Sequence, residues 1–201
     1  LEHYGTPLVV ATSGGKDSSV CVELALRGGI PFEVQHNHTT ADAPETVRFV
    51  RQEFARLEAL GVKCTINYPA YKGKRTSMWT LIPQKQIPPM RIKRYCCAVL
   101  KEHGAENRMI ATGVRWDEST SRARKRGIFE KQVSNPDKTV NTKSDADSLA
   151  DLFAPCKLKA KRIVNPIVDW KEADVWDFLK DAKATNLQIC LDIGNRLRYN
   201  I

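Results

Sequence analysis

Between a short apolar run, Leu8 to Thr12, and a helical pattern stands Ser13-Gly14-Gly15-Lys16-Asp17-Ser18. These residue types suit the holding of a phosphate chain. Glycines let a backbone turn with positive φ and come close to an anion. The N–H groups of a helix start point at that anion, and the helix dipole favours its charge. Ser13 and Ser18 add hydroxyl donors, and Lys16 adds a compact positive charge. Asp17 cannot hold phosphate directly; its carboxylate suits Mg²⁺ or the cap of the helix. The loop lacks the Gly-Lys-Ser/Thr ending of the Walker pattern, and the dinucleotide fingerprint is absent. Both absences argue against kinases, GTPases and nicotinamide enzymes.

Six cysteines sit at irregular spacing in 201 residues. A chain of this size with that spacing does not read as a secreted disulfide framework. A reducing cytoplasm fits better, where cysteines are buried, catalytic or metal-bound. Cys21 and Cys64 read as core residues. His36 and His38 lie two apart on a strand candidate and so share a face; half a metal site, a pocket lining and a plain strand-end role all remain open. Trp79, Trp170 and Trp176 read as packing residues rather than stacking platforms.

The length suits one domain with a sizeable core. Hydrophobic content of 42% and charged content of 27% are ordinary for a globular chain. No run reaches the roughly 18 apolar residues of a membrane span, and no signal peptide is visible. The chain opens at Leu1 rather than Met, so the true start is expected to lie outside it. The net charge is +9. Basic residues cluster at Lys72, Lys74 and Arg75, at Arg91, Lys93 and Arg94, at Arg122 to Arg126, and at Lys157 to Arg162. Such clusters fit a polyanionic partner, nucleotide or nucleic acid, as well as a solvated face.

The elements that must position the loop follow from the pattern. Leu8 to Thr12 reads as a buried parallel strand. Ser18 to Arg27 has helical spacing, stopped by Gly28-Gly29. Phe32 to His36 is a second strand. Asp42 is the expected N-cap of a helix with Pro44 in its first turn and Glu45 completing a capping box. Val47, Val50, Phe54 and Leu57 trace its apolar face. Cys64 to Asn67 is a third strand. Tyr68 to Arg75 reads as a loop, Ser77 to Ile82 as a short helix stopped by Pro83, and Cys96 to His103 as a helix. Met109 to Thr112 is expected to be the fourth strand. Lys131 to Ser148 is polar and reads as an insertion. Glu172 to Leu179 is the last helix. Strands alternating with helices imply an α/β fold, a doubly wound parallel sheet with helices on both faces.

The loop resembles the PP-loop of the adenine nucleotide α-hydrolase-like superfamily, and the resemblance continues past it. Asn37-His38-Thr39-Thr40-Ala41-Asp42-Ala43-Pro44-Glu45-Thr46 looks like the second-strand signature of the phosphoadenosine phosphosulfate (PAPS) reductase family. Arg94-Tyr95-Cys96-Cys97-Ala98-Val99-Leu100-Lys101 looks like its paired-cysteine segment. Gly113-Val114-Arg115-Trp116-Asp117-Glu118-Ser119 with Arg122 looks like its Gly-x-Arg…Glu-Ser…Arg block. Asn165-Pro166-Ile167-Val168-Asp169-Trp170 with Asp174-Val175-Trp176 looks like its closing block. The resemblance implies a Rossmann-like sheet with the nucleotide at the carboxyl ends of the strands. It also implies one PP-loop domain over 1–201, with the insertion near 131–148 and an incomplete C-terminal segment.

Within the family, Gly14-Gly15-Lys16-Asp17-Ser18 is the full pyrophosphate-binding loop. It fits an ATP pyrophosphatase-like sulfur transferase, as in the enzyme that puts sulfur into the DNA backbone, better than a sulfonucleotide reductase. The reductases carry a Glu-Cys-Gly-x-His tail, which is absent here. On the first reading ATP and Mg²⁺ bind at Ser13 to Ser18, with Asn37, His38, Thr39 and Gly113 lining the nucleotide. Lys16, Arg115 and Arg122 stabilise the charge that builds during cleavage, and Glu118 holds Mg²⁺ or orients a donor. The partners implied are an adenine nucleotide, a candidate nucleic-acid substrate and a sulfur-donor protein. The alternatives are a reductase that releases sulfite and a non-catalytic nucleotide- or nucleic-acid-binding subunit. In the family's iron–sulfur reductases a Cys pair joins a later Cys-x-x-Cys around a [4Fe–4S] cluster. Here Cys96 and Cys97 match the pair, and Cys156 and Cys190 are the downstream thiols. The other reading makes Cys96 and Cys97 ordinary helix residues. Zinc is disfavoured because no short ligand pair recurs.

Overall fold

The computed structural model describes residues 5–90, 95–101, 104–105, 107–132, 140–142 and 161–182. Among them a seven-stranded sheet runs β3-β2-β1-β6-β9-β7-β8. Its strands are β1 (Leu8–Ala11), β2 (Phe32–Asn37), β3 (Lys63–Asn67), β6 (Met109–Ala111), β7 (Phe129–Gln132), β8 (Val140–Thr142) and β9 (Lys161–Val164). The five strands β3, β2, β1, β6 and β9 are parallel. They are joined by α1 (Lys16–Arg27), α2 (Pro44–Ala59) and further connections. β7 and β8 extend the sheet as antiparallel strands, β7 pairing Phe129–Gln132 with β9. The α/β fold expected from the alternation is present, with this antiparallel edge added. Lys131, Gln132 and Val140–Thr142, inside the expected polar insertion, are strand; 133–139 and 143–148 lie outside the described residues.

The core follows from the sequence directly. Val9, Val10, Val20, Val34 and Leu57 are essentially inaccessible. β1 is central in the sheet, between β2 and β6, and its consecutive residues Leu8, Val9 and Val10 are all buried, so both faces are covered and a continuous apolar run fits. α5 (Glu172–Asp181) buries Val175 and Leu179 in the same core, with Ile167. Cys21 is buried and Cys64 packs against the core, as expected; burial pushes the Cys21 thiol up to about 12.

Several local expectations shift. The N-cap of α2 is Ala43, not Asp42, and no side chain caps it. Asp42 instead accepts from the Thr39 amide at 2.8 Å and the Thr39 hydroxyl at 2.7 Å, closing the turn before the helix. Tyr68 to Arg75 contains a small hairpin, β4 (Ala70–Tyr71) and β5 (Lys74–Arg75), turned by Lys72 and Gly73 at positive φ. α3 (Met78–Lys85) runs past Pro83, with Ser77 as its N-cap. Proline there deprives only the Trp79 carbonyl of a donor, and Trp79 lies on the exposed side of the helix. Cys97–Lys101 is a π-helical turn rather than a regular helix.

Candidate nucleotide site

β1 and β6 are neighbours, yet the chain leaves them toward opposite sides of the sheet. The crevice beyond their carboxyl ends is where doubly wound sheets bind ligands. Residues 13–18 and 113–118 meet there.

The loop after β1 is folded by its own hydroxyls. Gly14 N–H donates to the Thr12 hydroxyl at 3.2 Å, and Ser13 N–H to the Ser18 hydroxyl at 3.3 Å. The Ser18 hydroxyl donates to the Gly15 carbonyl at 2.8 Å. Beneath it, His36 Nδ1 sits 2.9 Å from the Thr12 carbonyl, and burial holds the His36 ring below its ordinary pKa. A neutral ring with its proton on Nδ1 satisfies that carbonyl. Gly15 is the N-cap of α1 with no side-chain bond. The first-turn N–H groups therefore keep their intrinsic lack of acceptors and face the crevice with the positive helix end.

Two glycines set the shape. Gly14 has φ +79, and a Cβ there would stand 3.0 Å from Val50 and 3.2 Å from Thr46 on α2. Gly113 passes the first turn of α1 so closely that a Cβ would lie 2.7 Å from the Asp17 carbonyl carbon and 2.9 Å from Ser18 N. Gly113 thus joins the two loops backbone to backbone.

Charge is concentrated beside this contact. Arg115, 2% exposed, donates from Nε to Asp17 Oδ1 at 2.7 Å and from Nη2 to Glu172 Oε2 at 2.7 Å. Its Nη1 reaches the Trp170 carbonyl at 3.4 Å and lies 3.5 Å from Asp117. Lys16 Nζ lies 2.9 Å from Asp17 Oδ2 and 3.2 Å from Glu172 Oε2. Burial works against the Arg115 charge, but Asp17 and Glu172 outweigh it and raise its pKa. Burial likewise favours the neutral Glu172 carboxyl. Hydrogen bonds from Trp176, Lys16 and Arg115, with the Lys16 charge, outweigh that and hold it below the usual carboxylate range. Glu118 accepts from the Arg115 amide at 3.2 Å, closing the turn that starts β6's outgoing loop. Arg122 lies in α4 (Thr120–Lys125).

The end of β2 is a second cluster. Asn37 donates to the Lys101 carbonyl at 2.6 Å and accepts from Asn67 at 3.0 Å, tying the π-turn to the strand ends. His38 Nδ1 accepts from the Thr40 amide, and its ring stacks on Tyr68 at 5.5 Å. Thr39 is held by Asp42 as described. So Ser13 to Ser18, Gly113 and Arg115 share one crevice with His36 beneath them, while Asn37 and Thr39 make bonds that shape its neighbouring wall.

The donor sets for metals can be tested against these contacts. Both carboxylate oxygens of Asp17 have a cationic partner, Oδ1 in Arg115 and Oδ2 in Lys16. Cys96 and Cys97 begin the π-turn, and burial, with Cys97 alongside, raises the Cys96 thiol. Two thiols do not complete a cluster; Cys156 and Cys190 lie outside the described residues. Among the described residues no group of three or more His, Cys, Asp or Glu side chains is gathered for a metal.

Sequence reasoning passed over Glu172 and Asn165 as site residues. Glu172 opens α5, an ordinary place for an acid, so its type and position carried no sign of its distant partners. Asn165 is 1% exposed and accepts from the Thr112 hydroxyl. It donates to the Gly127 carbonyl and to Glu130 Oε1, both at 2.8 Å. Glu130, equally buried, pairs with Arg126 at 2.7 Å. This polar chain fixes the end of β6 against β9 and β7. The pairing of Asn165 with Pro166 after an apolar pair was its one visible signal.

Residues 7–190 match the model of the phosphoadenosine phosphosulfate reductase domain. An uncharacterized protein of Methanocaldococcus jannaschii is 28% identical over 179 residues, covering 83% of this chain. The chain spans about a third of that relative, 34% of its length. A crystal structure of phosphoadenylyl-sulfate reductase from Candida auris, in complex with phosphate, superposes with a TM-score of 0.55 at 17% identity, covering 93% of this chain and 77% of that one. At that identity the likeness is one of fold. Among the described residues no helix is long and apolar enough to cross a membrane.

Proposed function

The chain belongs to the phosphoadenosine phosphosulfate reductase domain family, and from that premise we propose that it binds ATP and cleaves it to AMP and pyrophosphate, activating an acceptor for sulfur transfer. The observation that carries the reading is the meeting of Lys16 and Arg115 at the uncapped start of α1. A β,γ-pyrophosphate has a full loop to occupy and two cations beside it.

The acceptor attacks the α-phosphorus, the bond from that phosphorus to the bridging oxygen breaks, and pyrophosphate leaves. Negative charge builds on the leaving group. The α1 N–H groups and the Lys16 amine stabilise it where it forms. Arg115 is buried and held by two carboxylates, so it is already oriented before substrate arrives. A sulfur donor then displaces AMP from the adenylated acceptor. No protein nucleophile is needed. ATP and a sulfur-donor protein are the partners this reading calls for, with Arg122 and Glu118 as further candidates for the transition state.

The second reading is the activity in the family's name, release of sulfite from PAPS or its unphosphorylated relative. The family match favours it; the complete loop, which a sulfonucleotide without a β,γ-pyrophosphate would not need, favours ATP. One anaerobic experiment separates them. Protein is incubated with Mg²⁺ and α-labelled ATP, then with PAPS and a thiol donor. AMP that disappears in Lys16→Ala supports the proposal. Intact ATP with sulfite release moves the chain to the reductases. ATP bound but left intact both alone and with candidate acceptors, nucleic acid included, and without sulfite, identifies a non-catalytic nucleotide-binding subunit.

A further inference from the structure

From Ala59 to Lys101 the chain carries nine Lys or Arg and no Asp or Glu, although it holds 23 acids in all. The structure gathers part of this stretch into one module. The β4–β5 hairpin presents Lys72, Lys74 and Arg75, all exposed. Among the described residues no carboxylate pairs with these three. Their neighbours are aromatic. The Arg75 guanidinium lies 3.8 Å over the Tyr68 ring, and Lys72 lies 5.6 Å from the Tyr71 ring centre. Tyr68 is 43% exposed and stacks on His38 at an interplanar angle of 26°. Trp79, in the first turn of α3, is 71% exposed, against the expectation that it packs. That turn is fixed to the same corner: the Met78 amide donates to the Thr40 hydroxyl at 2.8 Å. His38, Thr40 and Tyr68 follow the carboxyl ends of β2 and β3. By strand order this corner lies one spacing, about 5 Å, from β1 at His38 and Thr40 and two spacings, about 10 Å, at Tyr68.

We propose that the β4–β5 hairpin and the first turn of α3 bind a single-stranded nucleic acid, a base stacking on the Arg75 guanidinium that Tyr68 supports from beneath and phosphates meeting Lys72 and Lys74. The guanidinium plane of Arg75, lying over Tyr68, and the exposed ring of Trp79 suit unstacked bases, whereas a duplex hides the base faces. An acidic protein would be met by the charges alone and gives no use to the exposed planes. None of Tyr68, Lys72, Lys74, Arg75 and Trp79 belongs to the phosphate loop, so the inference stands whether or not ATP is cleaved.

The test is fluorescence anisotropy with labelled 20-nucleotide oligo-dT and oligo-rU, without nucleotide, across a salt series. One single strand or both should bind more tightly than a duplex of the same length. Arg75→Gln and Tyr68→Leu should each weaken binding by about fivefold or more. The double variant Lys72→Ala/Lys74→Ala should reduce the slope of log affinity against log salt by about 1.4, the loss of two phosphate contacts. Arg75→Gln should melt at the wild-type temperature, which separates lost binding from lost folding. Four outcomes would each overturn the proposal: absent binding in low salt, equal binding of duplex, unchanged affinity in Arg75→Gln, or displacement of the strand by polyglutamate as readily as by unlabelled strand.

Discussion

Lys16 and Glu172 face each other across 3.2 Å, the amine from the first turn of α1 and the carboxylate from the first turn of α5. A phosphate chain entering the loop must share that amine with Glu172 or take it. Glu172→Gln removes the competing charge and keeps the shape. We expect ATP affinity to rise roughly fivefold, the scale of one charge pair near water, measured by calorimetry. A fall in affinity would mean that Glu172 helps to hold the nucleotide.

The same carboxylate makes stability depend on pH. Its folded pKa is depressed below the ordinary 4.5. The unfolded chain therefore binds the proton first as pH falls. The stabilisation from Glu172 is complete above 4.5 and is lost as pH drops through the depressed folded value. Urea midpoints taken from pH 7 down to 3 should fall less steeply for Glu172→Gln than for the wild type.

Arg115, itself 2% exposed, neutralises two acids whose side chains are 20% and 36% exposed. Arg115→Met would remove a guanidinium that both Asp17 and Glu172 use. The cost should be about 1–3 kcal/mol, below the range for a fully buried pair because water reaches both carboxylates. Chemical denaturation reads it directly. Nucleotide cleavage should be lost with it, even under conditions where the variant remains folded.

Gly113→Ala adds one carbon at 2.7 Å from backbone that cannot step aside. The first turn of α1 must shift, with an expected loss of about 1–3 kcal/mol and weaker ATP binding. Thermal melting with and without ATP checks both effects. Gly28→Ala, whose new carbon would meet its nearest neighbour at 3.1 Å within its own helix end, should melt close to the wild type and leave ATP binding unchanged.

Much of this arrangement is written locally in the chain. Val9 and Val10 inside an apolar run, then two glycines, then helical spacing fix β1, the loop and α1 without distant help. Pro44 marks the start of α2 for the same reason. Other features needed three dimensions. β7 is Phe129-Glu130-Lys131-Gln132, polar by pattern, and becomes a strand because Glu130 finds Asn165 and Arg126. Asp42 looked like a cap because acids often are; its oxygens were nearer the Thr39 donors. The hairpin at Lys72-Gly73 has strands of two residues, too short for any alternation to register. The partners of Arg115 lie 98 and 57 positions away along the chain, and no spacing rule spans that distance.

Gly14 rests against Val50 and Thr46, so the phosphate loop and the middle of α2 occupy one another's space. Substitutions at these sites are not independent. A larger residue at 50, such as isoleucine, is tolerable only if the loop can lift, and the loop cannot lift without moving the amides that face the crevice. Positions 14, 46 and 50 should therefore drift together or not at all, and a library randomising 46 and 50 should recover side chains no larger than threonine and valine there when nucleotide binding is the selection.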